Sequence, residues 1–224
     1  SVVEVVLFLN LKPIFTETNL VNFNLNIEHV KKLISKRTKA IITTSLFGRT
    51  CDLEKIKSSL PKKIKLIEDG AQNFGSILNG KSSLNIADIS CTSFFPSKNL
   101  GSFGDGGAIF TNNNLIYKRI KMLRNHGQLK YSITATGPGI NSRLGSIQAT
   151  VLLEKLKKIK SKITSQIRVY EKYQKFFIKN NIVGFPKIRI KSKMVDALSA
   201  FNLVVKNRNK LINIFKKKNI PFKI

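Results

Sequence analysis

A chain of 224 residues with 42% hydrophobic content is long enough for one ordinary domain, or for one domain and part of another, around a packed core. Forty Lys and Arg against twelve Asp and Glu leave a formal charge of +28, which draws polyanions over a Debye length of roughly 8–10 Å, yet the basic residues are spread along the whole chain. No run approaches the roughly 18–20 apolar residues of a membrane span, the start lacks the features of a signal peptide, and Cys51 and Cys91 have neither disulfide-framework nor metal-ligand spacing, which fits a reducing cytoplasm.

In chain order, "VVEVVLFL" (Val2 to Leu9) reads as a buried strand, and Asn26 to Lys36 as a helix. Strand runs follow at Lys39 to Gly48, Lys63 to Gly70, Ala87 to Phe95 and Gly106 to Thr111, with helical segments at Leu53 to Leu60 and Asn113 to Leu123. This alternation predicts an α/β fold, a mostly parallel sheet flanked by helices, whose ligands collect at the carboxyl ends of the strands. From Arg143 to about Lys179 the pattern is one bent helix or two in sequence, with Ile147, Val151, Leu152, Leu156 and Ile159 at helical spacing. Beyond Pro186, Ala197 to Val205 reads as a strand and Asn207 to Asn219 as a helix that Asn207 could cap. The basic clusters Lys31 to Arg37 and Phe215 to Asn219 fall on predicted helices and read as solvated faces. No helix-turn-helix, zinc-finger or aromatic RNA-binding pattern accompanies them.

The stretch "SFFPSKNLGSFGDGGAIF" (Ser93 to Phe110) isolates Lys98 between a strand and a glycine-rich turn. A lysine there can point into water, bind an anion, or act as a nucleophile. Ser93 and the amides around Gly101, Gly104, Gly106 and Gly107 offer donors to a phosphate. Asp69, ending the strand in "IEDG", places a carboxylate at the sheet edge that needs a cationic partner. That partner is either Lys98, as a plain ion pair, or the protonated ring nitrogen of pyridoxal phosphate (PLP), a cofactor that asks a protein for a lysine and a carboxylate. Spacing alone leaves both readings open.

The blocks "IEDGAQNFGS", "DISCTSFFPSKNLGSFGDGGAIFTNN", "LRNHGQ" and "GINSRLGSIQATVLLEKL", in this order, resemble the DegT/StrS family of sugar aminotransferases, PLP enzymes of the aspartate aminotransferase fold. The resemblance implies that Lys98 binds the cofactor covalently and shuttles the proton, and that Asp69 keeps the ring nitrogen protonated. It also implies that Ala71 packs on the ring, Gln72 sits by the ring hydroxyl, Ser93 binds the phosphate, and Asn141 reaches the phosphate in a neighbouring subunit. Shared sites imply a homodimer. Arg143 would line the substrate pocket across that interface or form a salt bridge at a helix start. His126 reads as a hydrogen-bonded structural residue and His29 as a surface one.

The implied reaction moves an amino group, usually from glutamate, to a keto group of a nucleotide-linked sugar, as in surface-polysaccharide or amino-sugar biosynthesis. Relatives that deoxygenate sugars carry histidine at the position of Lys98, so lysine favours amino transfer over dehydration. Gly70 and Gly145 stand where the family has alanine and an acidic residue, the second expected to weaken an early helical turn. The family's upstream Ser-Gly-Thr phosphate loop has no counterpart, so the chain is expected to be an internal fragment. Residues 1–158 would be a partial large PLP-binding domain, and residues 159–224 a linking helix with an incomplete small domain. The loop Leu129 to Ile140 would help select the sugar. An inactive relative and a basic nucleic-acid-binding domain are the competing classes.

Overall fold

The computed structural model describes residues 2–19, 22–128, 134–182, 190–191 and 193–223. In chain order the elements are α1 (Val2–Phe8), α2 (Ile27–Leu33), β1 (Ala40–Thr44), α3 (Leu53–Ser59), β2 (Lys65–Asp69), β3 (Ile77–Leu78), β4 (Lys81–Ser82), β5 (Ile89–Ser93) and β6 (Gly107–Phe110). They continue with α4 (Asn114–Leu123), α5 (Ser146–Lys157), α6 (Ile159–Lys179), β7 (Ile190–Lys191), β8 (Met194–Val195) and α7 (Arg208–Lys217). Asparagine and aspartate start three of the helices: Asn26, Asp52 and Asn113 each accept hydrogen bonds from first-turn amides of α2, α3 and α4.

The main sheet has the order β1-β2-β5-β6, with β1, β2 and β5 parallel and β6 antiparallel to β5. The register sets two rows across it. Thr43, Glu68, Ser90 and Phe110 are aligned in one, and Thr44, Asp69, Cys91 and Ile109 in the next. Because successive side chains on a strand point to opposite faces, the first row belongs to one face and the second to the other. The first face is closed by α3, whose Leu53 and Ile56 pack with Leu66, Leu78, Ala87 and Cys51. A separate apolar cluster of Phe94, Leu100 and Leu152, with Phe74, Ala108 and Ile159 against it, joins α5 and α6 to the segments on either side of Lys98.

Val2–Phe8 is a helix, not the expected strand, and Val5, Leu7 and Phe8 are exposed on it. A short apolar run interrupted only by Glu4 carries no period that separates a strand from one face of a helix. The run Ala197 to Val205 forms no strand. Its backbone groups are taken elsewhere: Ala197 N donates to Ser76 Oγ, Ala197 O accepts from Asn99 Nδ2, and Ser199 N donates to Phe47 O. With Ala197 and Leu198 buried, those bonds replace a ladder. Gly48 makes this docking possible, since it has φ +84 and a Cβ there would meet Ala197 O.

The helical region after Arg143 is two helices separated at Lys158. Only part of its apolar stripe is inward: Leu152 is buried and Ile159 packs in the cluster, whereas Ile147 and Leu156 are exposed. Gly145 is the N-cap residue of α5 in extended conformation, so it does not weaken the first turn as expected. Asn207 precedes α7 but makes no capping hydrogen bond with its side chain. A second, antiparallel sheet of order β4-β3-β8-β7 ties the hairpin after Gly75 to the chain beyond α6. Strands of two residues give no alternation long enough to read from sequence.

Candidate active site

β2 ends on Asp69 at the carboxyl edge of the sheet, where the half-buried carboxylate accepts Ala71 N at 3.0 Å through Oδ1. Among the described residues its second oxygen has no hydrogen-bond partner, and no ion pair joins it to Lys98. Ser93 ends β5 two residues beyond Cys91, so it lies on the face shared by Asp69. Its Oγ accepts Phe95 N at 3.2 Å and keeps its own proton to donate.

Lys98 follows in a tight turn closed by its N–H on Phe95 O at 2.9 Å. The turn continues into buried Asn99, Leu100, Gly101 and Ser102, with Ser102 N and Oγ both donating to Phe94 O at 2.8 and 2.9 Å. A Cβ on Gly101 would meet Pro96 O, so the backbone closes on itself only with glycine. The Lys98 side chain is half-buried, and its Nζ has no hydrogen-bond or ion-pair partner among the described residues. A fixed backbone carrying an uncommitted amine differs from a solvated loop lysine.

Ala71 is half-buried in the turn after Asp69. Gln72 Oε1 accepts Phe47 N at 2.8 Å, which leaves the Gln72 amide nitrogen to reach a ligand. In that turn a Cβ on Gly70 would press on Leu84 Cδ2 and lie 2.8 Å from Asn73 Oδ1, which accounts for glycine in place of alanine. Asn141 and Arg143 stand by Asn125, not on the sheet edge. Asn141 bridges Asn125 through the backbone, and Arg143 Nη1 donates to Asn125 Oδ1 at 2.8 Å. Both are exposed, and Arg143 makes this hydrogen bond instead of the alternative salt bridge. His126 is exposed with φ +53, its N–H on Ile140 O. His29 is more than a surface residue: its Nδ1 accepts Glu17 N at 2.9 Å and lies 3.1 Å from Thr16 Oγ1. Residues 129–133 of the loop expected to help select the sugar lie outside the described residues.

Sequence reasoning missed Glu68. It is fully buried beside Asp69 and accepts Ser45 Oγ (2.7 Å) and Asn73 Nδ2 (2.9 Å) on Oε1, and Ser90 Oγ (2.9 Å) on Oε2. These bonds pin the end of β1, β5 and the turn after Asp69 to one carboxyl group. Burial pushes its pKa up; the three donors oppose that, and the negative charge of Asp69 adds to it. The signal was present in "IEDG" as two consecutive acids, of which only one can face each side of the sheet. Cys51 and Cys91 are free thiols whose pKa values burial raises, that of Cys51 to about 11. Among the described residues no cluster of metal-ligating side chains occurs, and no helix is long and apolar enough to cross a membrane.

The donor set fits a pyridine aldehyde phosphate: an uncommitted amine, a carboxylate with one oxygen open to a protonated ring nitrogen, and a serine hydroxyl on the same face of the sheet. Comparison with known proteins agrees. The model of the DegT/DnrJ/EryC1/StrS aminotransferase family matches residues 1–224. The UDP-2-acetamido-2-deoxy-3-oxo-D-glucuronate aminotransferase of Pseudomonas aeruginosa is 36% identical over 220 residues, covering 97% of this chain and 60% of its own. The dTDP-3-amino-3,6-dideoxy-alpha-D-galactopyranose transaminase of Aneurinibacillus thermoaerophilus is 37% identical over 177 residues, 79% of this chain and 48% of its own. A crystal structure of a DegT DnrJ EryC1 StrS aminotransferase from Brucella abortus superposes with a TM-score of 0.90 at 29% identity, over 97% of this chain and 60% of that one. The chain therefore spans about 60% of the length of the Pseudomonas and Brucella proteins. With the sheet, the Lys98 turn and the full-length match in agreement, the chain belongs to the DegT/DnrJ/EryC1/StrS aminotransferase family.

Proposed function

We propose that the full-length protein is a PLP-dependent aminotransferase that passes an amino group, from glutamate, to a keto sugar attached to a nucleotide, in surface-polysaccharide or amino-sugar biosynthesis. The observation that carries this reading is the uncommitted Lys98 amine on a closed turn at the sheet edge that Asp69 shares. The names of the Pseudomonas and Aneurinibacillus relatives support the substrate class.

When bound, the cofactor supplies an electron-withdrawing ring that makes the carbon next to the amine acidic. The chain supplies the rest. Asp69, whose Oδ1 accepts Ala71 N, would use Oδ2 to keep a proton on the ring nitrogen through a charge-assisted bond. Ser93 Oγ, which accepts Phe95 N and keeps its proton, would donate to the phosphate, and Gln72, tethered by its oxygen to Phe47 N, would offer its amide nitrogen to the ring hydroxyl. Ala71 would pack on the ring face. Lys98 Nζ would hold the cofactor and, as a free amine, would take up and return a proton at Nζ.

Asn141 and Arg143 serve a second copy of the chain in this reading, Asn141 toward its phosphate and Arg143 toward its substrate. Their exposure, with Ile140 and Ile147 67% and 72% exposed on the same stretch, supports burial in a homodimer. In this reading residues 1–158 carry the cofactor groups, and residues 159–224 supply the linking helix and part of a small domain. The test is amino transfer by the full-length protein from glutamate to a nucleotide-linked keto sugar, followed as formation of 2-oxoglutarate. Lys98→Arg should abolish it. Turnover by that variant would refute the reading.

A further inference from the structure

Two cations outside the site reach the loop that carries Lys98. Lys162 Nζ of α6 donates to Asn99 O at 2.6 Å, and Lys155 Nζ of α5 donates to Gly101 O at 2.6 Å. These carbonyls belong to the first and third residues after Lys98. Buried backbone acceptors in a turn that pairs only with itself need donors from elsewhere. The two lysines alternate with the apolar residues that seat the same loop: Leu152, Lys155, Ile159 and Lys162 recur at helical intervals across the break at Lys158. Leu152 packs with Phe94 and Leu100, which bracket Lys98, and Ile159 packs against that cluster. Lys155 also lies over the Phe103 ring, 4.9 Å from its centroid.

The same helices touch the carboxylate side of the site. A Cβ on Gly75, in the turn after Asp69, would meet Ile163 Cδ1, and Phe74 belongs to the Phe94 cluster. A third tether, Asn99 Nδ2 to Ala197 O at 2.6 Å, binds the Lys98 loop to the chain beyond α6. One helical face thus contacts both loops whose residues the cofactor requires.

We propose that Lys155 and Lys162 are positioning residues that clamp the Lys98 turn by charge-assisted hydrogen bonds to Gly101 O and Asn99 O, so that the α5–α6 face sets where the Lys98 amine stands. The proposal rests on Lys98 being the cofactor-binding amine. The lowered pKa of Lys162, caused by partial burial and then by the charge of Lys155, accords with two ammonium groups brought together on one short loop.

Hydrogen exchange of the full-length protein, read by mass spectrometry on peptides covering residues 97–104, tests the clamp with and without cofactor. In Lys155→Met and Lys162→Met the amides of Lys98 and Ser102, which close the turn, should exchange roughly tenfold faster or more, as local opening becomes easier. Lys155→Arg and Lys162→Arg, which keep a cationic donor, should restore slow exchange. Lys157→Met, which removes only an exposed partner of Glu154, should change nothing in this segment. Unchanged exchange in both Met variants overturns the clamp, as does failure of arginine to restore it. Global unfolding of both single Met variants also overturns it, because the lysines would then hold the whole fold. A normal exchange pattern in the Met variants with intact amino transfer would refute the clamp while leaving Lys98 in its role; faster exchange in those variants, with the wild-type full-length protein itself showing no amino transfer, would do the reverse.

Discussion

Asp69 and Glu68 are adjacent acids on opposite faces of the sheet, and the proposed function gives only Asp69 a part in the chemistry. Asp69→Asn keeps an oxygen for Ala71 N but cannot hold a ring nitrogen protonated, and a lost charge-assisted bond of about 1.5–3 kcal/mol corresponds to roughly 10- to 150-fold in kcat. Retention of wild-type kcat would remove Asp69 from the chemistry. Glu68 accepts three hydrogen bonds and, among the described residues, no cation pairs with it, so its charged form is penalised by burial. With its pKa raised, the folded state binds more protons than the unfolded state between an ordinary glutamate value of about 4.3 and the raised one. Stability from this group therefore falls as pH climbs through that window. Glu68→Gln can retain all three contacts without a charge. Denaturant titrations should find it about 1 kcal/mol more stable than wild type at pH 8, with the gap closing toward pH 4. A Gln variant that is less stable at pH 8 than at pH 4, relative to wild type, contradicts this assignment.

At the scale of elements, the Lys98 turn depends on glycine and on the face of α5. Gly101→Ala forces a Cβ onto Pro96 O and should destabilise by about 1–3 kcal/mol, and Leu152→Ala, which hollows the Phe94–Leu100 cluster, by about 2–4 kcal/mol, both measurable by urea unfolding. The strands that flank the site were legible because β1, β2 and β5 are continuous β-rich runs followed by turn residues, and the Lys98 block carried its own local signature. α1 was not, since a seven-residue apolar run has no decisive period. Ala197 to Val205 misled for a different reason. Its composition suits a strand, but Gly48, Ser76 and Asn99, far away in sequence, claim its backbone. The candidate site divided along the same line: Asp69 and Ser93 end readable strands and Lys98 stands in the glycine-rich block after one, whereas the Glu68 network, the Gln72–Phe47 bond and the Lys155 and Lys162 bonds to the Lys98 turn exist only through tertiary pairing.

For the whole molecule, the charge of +28 is the property most open to misreading. Spread over the chain, it should give duplex DNA binding that weakens steeply between about 50 and about 200 mM salt and shows no sequence preference, which fluorescence anisotropy can check. Salt-resistant, sequence-selective binding would instead favour a nucleic-acid function. Sedimentation of the full-length protein should give a dimer that Ile147→Lys weakens, since Ile147 is 72% exposed beside Asn141 and Arg143. The account as a whole turns on one amine among forty lysine and arginine side chains. Borohydride reduction of the full-length protein with PLP, followed by peptide mapping, tests it most directly. The account predicts the pyridoxyl group on Lys98 alone; its attachment to another lysine, or undiminished labelling of a Lys98→Arg variant, would contradict it.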